Sequence, residues 1–567
     1  MMQNEEVAKV LEEIGDMLEV GGENFFRVRA YRNAARAVRD QPVQVADLTP
    51  EQIDEIPGIG ADLAGKIETL IKTGDIPLHR ELAQKFPAAL LELRNIPGLG
   101  PKRVKLLIDL LKIKGSDDLE RAAKSGKLRK LRGFGPKIEQ KILESLARQD
   151  RDAVKRISYA EAAPIAERLI GHLRKCRAVE ELEVAGSFRR RRESVGDLDL
   201  LAAAAQPEPV MKQFASFPEV AKVLGSGETK TSVVLKGGLQ VDLRVVRRES
   251  FGAALAYFTG SKPHNVHLRR IAQGQGLLLN EYGLFRNGST VAGKTEEQVY
   301  RALGLPWIPP ELREDRGEIE AASEKRLPAL ISRNNLRGDL HTHSTYTDGR
   351  ASIEEMARQA RKSGLEYFAI TDHSRRLAMA HGLDPKRLRE QAREIERIQA
   401  QLSGIRLLRG TEVDILEDGS LDLPDDALAE LDWVVASVHY QLEQSPREMT
   451  RRLIEAVRNP NVDVIGHPSG RLIGHRQPSE FDLGEVLKVA REEGCALEVN
   501  SQPDRLDLTD TACMSAKHAG VKLVISSDAH SPRDFDLLQY GVNQARRGWI
   551  EPGDVLNTRP LKSLRLR

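Results

Sequence analysis

The sequence predicts a multidomain chain in three architectural parts: an all-α N-terminal region, an α/β middle region and a C-terminal α/β barrel. Three observations predict it. A turn containing G-x-G recurs three times within residues 55–142, among segments of helical periodicity. Asp197 and Asp199 alternate along an apolar strand pattern, and a further aspartate, Asp242, sits in another. From Leu336 onward, apolar runs alternate with helical patterns, and histidines and carboxylates gather just after the runs.

At 567 residues the chain exceeds one ordinary core, so roughly two to four domains are expected. With 40% hydrophobic and 30% charged residues it belongs with globular rather than disordered chains. No run approaches the ~18 apolar residues of a membrane span. The opening MMQNEEVAKVLEEIGDMLEV is acidic and lacks a basic-then-apolar leader, so a cytoplasmic protein is expected. Cys176, Cys495 and Cys513 form no C-x-x-C pair, which fits a reducing compartment without disulfides or thiolate zinc. A net charge of +2 does not announce a nucleic-acid partner, but residues 101–141 hold 13 Lys/Arg against 5 Asp/Glu.

The repeated turns lie in EIPGIGADLAGKI (55–67), NIPGLGPKRVKLL (95–107) and KLRGFGPKIEQKI (130–142). Glycine permits positive φ and close backbone approach, and the helix that follows offers unpaired N–H groups to an anion. One copy would be an ordinary glycine-capped connection. Three copies, two of them followed by basic residues, point to phosphate contact without base reading. The pattern resembles the helix-hairpin-helix of DNA-repair proteins. That resemblance makes Gly58, Gly60, Gly98, Gly100 and Lys102 DNA contacts, with a monovalent cation at the turns.

In ELEVAGSFRRRRESVGDLDLLAAA (181–204), two strand patterns flank a tight turn at Gly186-Ser187. Side chains alternate along a strand, so Asp197 and Asp199 face one side. Two adjacent carboxylates repel unless a cation lies between them, and divalent ions with oxygen ligands suit the pair. Alone, D-x-D also describes a solvent-facing strand edge. G-S followed by G-D-x-D, with Asp242 in LQVDLRVV, is similar to the nucleotidyltransferase signature. AYFTGSKPHNVHLRRIA (256–272) adds an aromatic pair, a turn at Gly260, and a helix with Asn265 and Arg269 on one face.

Together with LNEYGLF (279–285), these motifs make residues 1–315 resemble the family-X DNA polymerases, relatives of polymerase beta. The resemblance implies a palm with a nucleotide-selection (thumb) subdomain and a metal-binding triad of Asp197, Asp199 and Asp242. Asp242 would accept the primer 3′-hydroxyl proton. Gly186, Ser187, Arg190 and Gly196 would contact the incoming triphosphate. Tyr257, Phe258 and Gly260 would line the sugar pocket, and Asn265 and Arg269 would lie at the base pair and template. The implied cofactor is Mg²⁺ or Mn²⁺, and the implied partners are dNTPs and gapped or primer-template DNA. Two positions depart from the pattern. Gln240 stands where polymerase beta has arginine, and Asp62 is acidic where a lysine is expected beside Lys66, the position of a lyase nucleophile.

Nine of the 13 histidines lie after residue 340. His341, His343 and Asp348 follow the first apolar run; His373, Glu412, His439, His467, Asp528 and His530 follow or end later ones. The C-terminal ends of barrel strands are where active sites gather. Residues 337–567 resemble the polymerase-and-histidinol-phosphatase (PHP) domain, and each of that family's nine ligands has a match here. Up to three divalent ions (Zn²⁺, Mn²⁺ or Fe²⁺) are implied, with Glu412 bridging two, in the service of phosphoester hydrolysis. Arg505 is a basic residue suited to phosphate.

The expected domains are two helical DNA-binding parts (1–90 and 91–150), a palm (151–248), a nucleotide-selection subdomain (249–315), a linker (316–335) and a PHP domain (336–567). The expected function is short-gap filling in DNA repair, including base excision repair, by a monomer with an attached 3′–5′ exonuclease. A 3′-phosphatase or abasic-site endonuclease activity would suit the same barrel. The competing readings are a small-molecule phosphatase of the histidinol-phosphate kind fused to a DNA-binding nucleotidyltransferase, and a DNA-binding scaffold.

Overall fold

The computed structural model describes residues 2–564 except 3, 40, 42–43, 87–89, 91–92, 94–95, 97–98, 132–133, 136–137, 141 and 144–155. The chain divides into two compact units, residues 1–155 and 156–567. Among the described residues no helix is long and apolar enough to cross a membrane.

The first unit is helical. Helices Asn4–Gly21 and Phe25–Arg39 pack along stripes spaced three and four residues apart: Val7, Leu11, Ile14 and Leu18 against Val28, Tyr31, Ala35 and Val38. Helix Ala61–Thr73 adds Leu63, Ile67 and Leu70 to this core and ends at Gly74 in the left-handed region. A second cluster joins Ile96, Leu99, Val104, Leu107, Leu119, Phe134 and Ile142. The apolar residues of the repeated turns (Ile56 and Ile59; Ile96 and Leu99) are thus core residues, and Gly58, Gly60 and Gly100 are exposed.

The second unit begins with a five-stranded sheet. Its spatial order is 181–184, 197–203, 240–246, 230–235, 220–226. Strands Asp197–Ala203 and Gln240–Val246 run parallel and the other pairs antiparallel. Helix Tyr159–Leu173, started by a Ser158/Glu161 capping box, covers one face together with helix Pro207–Ala215. Helix Phe251–Thr259 packs on the other face through Phe251, Ala254 and Leu255. It leads into helix Lys262–Gly274, a small antiparallel sheet (278–280, 283–286, 289–292) and helix Glu296–Ala302. The charge of residues 316–335 reads as a linker, yet helix Glu318–Ser323 is packed. Ile319 and Ala322 enter the core beside helix 262–274, and buried Glu318 accepts from His264 Nδ1 at 2.6 Å.

Seven parallel strands follow in chain order: Gly338–Asp339, Tyr367–Ile370, Arg406–Asp414, Trp433–Ser437, Val464–Ile465, Ala496–Asn500 and Leu523–Ser526. A bridge between Thr342 and Ala529, beyond the first and last strands, nearly closes the barrel. Leu340, Ala369, Leu408, Val435, Ala496 and Val524 form one cluster of this barrel. Phe368, Ile370, Leu407, Val434, Leu497 and Ile525 pack in a second cluster with the surrounding helices. Burial on both faces explains why these strands read as continuous apolar runs.

Candidate active sites

The register of the first sheet builds one site. Asp199 lies opposite Asp242 and Asp197 opposite Gln240, so three carboxylates from two adjacent strands share a small region. Burial and the neighbouring Asp197 and Asp242 push the Asp199 carboxyl up to about 6. Burial and Asp242 raise Asp197 as well. For Asp242 burial works upward, but hydrogen bonds from Lys230, Ser232 and Gln240 prevail and hold it below its ordinary value. Crowded carboxylates of this kind are relieved by a divalent cation, so the donor set fits Mg²⁺ or Mn²⁺.

Gly186-Ser187, expected as a tight turn, opens a single helical turn, Gly186–Arg189. Gly186 has φ +62°, and a Cβ there would lie 2.4 Å from Asp199 Oδ2. Only glycine lets this backbone approach the carboxylates. Ser187 is half-buried on the same turn, and Gly196 forms the bend that leads into the Asp197 strand. The Arg190 guanidinium is held by the protein: Nη1 donates to the Thr259 carbonyl (2.5 Å) and Nε to Glu314 (3.1 Å). Gly260 lies against it, since a Cβ there would meet Arg190 Nη1 at 3.3 Å. The Tyr257 and Phe258 rings meet edge to face, and the Arg244 guanidinium stacks over Phe258. Asn265 donates to the Tyr257 carbonyl (2.6 Å), and Arg269 Nε donates to the Asn265 carbonyl (3.2 Å), so the aromatic pair and the helix face are tied together.

Lys66 and the repeated turns belong to the first unit. Gly58 (φ +95°) and Gly60 are exposed, and neither Gly60 nor Gly100 gives its helix a side-chain cap. Gly98 and the Lys102 side chain lie outside the described residues. Lys66 Nζ pairs with Asp62 at 2.5 Å and sits 5.5 Å from the centre of the Tyr31 ring. Burial alone would lower its pKa, but the bond to Asp62 and the neighbouring Tyr31 raise it. A Schiff-base nucleophile needs the opposite shift.

At the C-terminal end of the barrel, the nine histidines and carboxylates singled out in the sequence converge. His343, Asp348, His373 and His530 form one group with metal-ligand spacing; His341, His343 and Asp528 form a second; His373, Glu412 and His439 form a third. His467 Nε2 lies 3.0 Å from Glu412 Oε1, so Glu412 stands among His341, His373, His439 and His467. Several ring nitrogens, His343 Nδ1 and His467 Nδ1 among them, are buried without a hydrogen-bond partner. That state is costly unless a cation takes the lone pair. His467 (φ +27°) and Asp528 (φ +50°) adopt left-handed backbone, a local strain of the kind that collects at functional sites.

The electrostatics favour a cation. Burial and the neighbouring His530 and His373 drive His343 down to about 3. Burial opposes charge on His373 as well, yet Glu412 and Asp348 raise it to about 10. Glu412 itself falls well below its ordinary value, because His373, His341 and His439 outweigh its burial. The carboxylates call for positive charge in a dry setting, which divalent ions supply when the imidazoles are neutral.

Two supporting residues escaped the sequence reading. Glu498 accepts from His341 Nδ1 (2.7 Å) and from the His467 backbone N–H (2.6 Å). Asp414 lies 3.0 Å from His439 Nδ1. Such partners fix the tautomer and direction of a metal-binding imidazole. The available signals were a charged residue inside the apolar run CALEVNS and a carboxylate two residues after Glu412, on the same strand face. Beside the cluster, Arg350, Gln502, Arg505, Asp528 and His530 line a cleft of about 350 Å³.

Residues 254–314 match the DNA polymerase beta thumb, and residues 339–502 match the PHP domain. Residues 2–76 match a helix-hairpin-helix domain, and residues 90–149 a SAM-like helix-hairpin-helix tandem. The DNA polymerase/3'-5' exonuclease PolX of Bacillus subtilis (strain 168) is 39% identical over 99% of this chain and 99% of its own length. The chain belongs to the family-X DNA polymerases that carry a PHP domain. Probable phosphatases match a smaller share of this family-X polymerase. One from Thermoanaerobacter sp. (strain X514) is 32% identical over 39% of the chain and 89% of its own length. One from Vibrio campbellii is 30% identical over 39% of the chain and 88% of its own length. A single relative that spans both halves favours one combined polymerase and nuclease over a phosphatase fused to an unrelated module.

Proposed function

We propose that this family-X polymerase fills short gaps in DNA by template-directed incorporation of dNTPs, and that its PHP barrel removes nucleotides from 3′ ends. The observation that carries the reading is the coexistence of two separate carboxylate-rich centres in one chain: the Asp199/Asp242 register and the nine-residue cluster around Glu412.

At the polymerase centre, Asp197, Asp199 and Asp242 would hold Mg²⁺ or Mn²⁺. Asp242 is the carboxylate kept ionised by its neighbours, which suits it to receive the primer 3′-hydroxyl proton at a carboxylate oxygen. Ser187, the backbone of the 186–190 turn and Arg190 would hold the triphosphate. Tyr257, Phe258 and Gly260 would border the sugar, and Asn265 and Arg269 the base pair and template. The exposed hairpin turns at Gly58–Gly60 and at Gly100 would bind DNA strands through backbone N–H groups, independently of sequence and with a monovalent cation.

At the barrel, the nine residues would hold up to three divalent ions, of which Zn²⁺, Mn²⁺ and Fe²⁺ suit mixed imidazole and carboxylate donors. When bound, the ions at either centre supply Lewis acidity for phosphoryl chemistry. Glu498 and Asp414 hold the His341 and His439 rings in place. Arg350 and Arg505 line the adjoining cleft together with Asp504, Asp528 and Asp534, and their guanidinium groups would contact a DNA phosphate, so that the same cleft would accept a 3′-phosphate or an abasic site. We take the working form to be a cytoplasmic monomer.

The test is gapped DNA with Mn²⁺, with and without dNTPs, comparing wild type, Asp199→Ala and His341→Ala. Asp199→Ala should lose extension and keep 3′ degradation, and His341→Ala should do the reverse. Loss of both activities in either variant overturns the assignment of two independent centres.

A further inference from the structure

The turn that carries the triphosphate-binding residues is not held by the palm alone. The barrel grips its backbone and its flank. Arg547, the last residue of barrel helix Leu538–Arg547, donates through Nη1 to the Arg190 carbonyl (2.8 Å) and to Glu314 Oε1 (3.0 Å). Its Nη2 donates to Asp510 Oδ2 (2.7 Å), which also accepts from Arg316 (3.0 Å). The Glu314 oxygen that Arg547 holds is the one that accepts from Arg190 Nε. One planar fork therefore fixes both the main chain of Arg190 and the acid that aims the Arg190 side chain. Three residues on, Glu193 receives Arg471 Nη2 at 2.8 Å, and Arg471 lies four residues after ligand candidate His467. Tyr540 of the same barrel helix meets Tyr159 edge to face, and Tyr159 stacks on Phe188 within the turn.

The chemistry of this junction suits positioning rather than general adhesion. Arg547 is 2% exposed, and Glu314 is held down to about 2 because Arg547, Arg190 and Arg192 outweigh its burial. A guanidinium bridging two carboxylates and a carbonyl is directional in a way that a single ammonium is not. Small displacements of a positioned phosphate-binding group cost rate or affinity steeply.

We infer that Arg547 and Arg471 of the PHP barrel are positioning residues for nucleotide incorporation: they set the 186–193 turn, so the barrel is part of the dNTP site. This rests on the reading of that turn as the triphosphate cradle. Neither arginine touches the substrate. Each acts through the turn, Arg547 through Arg190 and Glu314 and Arg471 through Glu193.

The experiment uses the full chain with Arg547→Met, Arg547→Lys, Arg471→Met and Arg190→Ala, and measures KM and kcat for a single dNTP on gapped DNA. The 3′–5′ exonuclease rate and thermal midpoint are read on the same Arg547 preparations. Arg547→Met should raise the dNTP KM about tenfold, a loss of triphosphate binding rather than of chemistry, with exonuclease activity retained. Arg547→Lys should recover only part, because one ammonium cannot bridge both acids. Arg471→Met, at the more accessible end of the junction, should raise KM several-fold and serves if Arg547→Met fails to fold. A dNTP KM unchanged in Arg547→Lys and Arg471→Met, while Arg190→Ala raises it, overturns the inference and leaves the cradle reading intact. An unchanged KM in Arg190→Ala overturns the cradle reading itself. Parallel loss of incorporation, exonuclease and thermal stability in the Arg547 variants shows a merely structural junction and also overturns the inference.

Discussion

Lys230 Nζ lies 2.6 Å from Asp242 Oδ2. The two residues come from antiparallel neighbours, strands Lys230–Leu235 and Gln240–Val246, in which Ser232 is directly opposite Asp242 and Lys230 is diagonal to it. Gln240 Nε2 takes the other carboxylate oxygen, Oδ1, at 3.0 Å. Polymerase beta has arginine at the position of Gln240. Here the cation comes from the adjacent strand, and a neutral amide completes the grip.

Asp242 is thereby oriented and held below its ordinary value, whereas burial raises Asp197 and Asp199. Lys230→Ala is expected to lower kcat for incorporation about tenfold, a barrier increase of about 1.4 kcal/mol. Lys230→Arg should retain most of the rate. Single-turnover incorporation on gapped DNA checks this, and a full rate in Lys230→Ala would rule out the lysine as the source of the orientation.

The Asp199 shift predicts a pH-dependent stability change. Its folded value of about 6 is raised above the unfolded carboxylate value. Such a group costs no stability while protonated in both states and becomes a liability as pH rises through its folded value. In chelator, Asp199→Asn should therefore raise the thermal midpoint at pH 8, by a margin equivalent to about 2 kcal/mol, and raise it far less at pH 4, close to the unfolded carboxylate value. The same variant should not incorporate nucleotides. Calorimetry at the two pH values makes the comparison, and an equal gain at both would sink the electrostatic account.

Glu498 offers a test of the barrel centre that spares its nine direct ligand candidates. Glu498→Gln keeps the shape of the side chain but weakens its hold on His341 Nδ1 and on the His467 backbone. Metal affinity should fall about 10–100-fold, in line with other partners of metal-bound histidines. Metal content after dialysis and the Mn²⁺ dependence of 3′ degradation report the loss. Gap filling at the other centre should be unaffected.

Lys66 is held protonated by Asp62 and Tyr31, so the wild-type protein should form little Schiff base with a 5′ abasic end. Asp62→Asn relieves the ion pair and should increase the borohydride-trapped adduct several-fold, and Lys66→Ala should abolish any adduct. Abundant trapping by the wild type would show that the Lys66–Asp62 pair does not restrain the amine.

The centres were legible in the sequence wherever backbone periodicity already carries the geometry. A period of two put Asp197 and Asp199 on one strand face. Residues at the C-terminal ends of parallel strands or just beyond them are delivered to one end of a barrel, so His341, His373, Glu412, His439 and Asp528 could be grouped without coordinates. Glycines at the hairpin turns were readable because few other residues tolerate φ +95° at Gly58.

Only the tertiary structure decided the rest, because it depends on register and on contacts between residues far apart in the chain. Sequence could not pair Asp199 with Asp242, since register is a property of two strands together. Nor could it place Glu498 behind His341, 157 positions away, or Lys230 on Asp242 in place of an arginine. The charged stretch around Glu318 read as a linker because composition does not reveal burial, and a buried histidine 54 residues earlier satisfies that acid. The contact of Arg547 with the Arg190 carbonyl spans 357 positions. No periodicity encodes it, because it is set by how the barrel helix packs against the phosphate-binding turn. The sequence by itself determined which chemical groups each centre contains, and the tertiary structure decided which partners hold, charge and aim them.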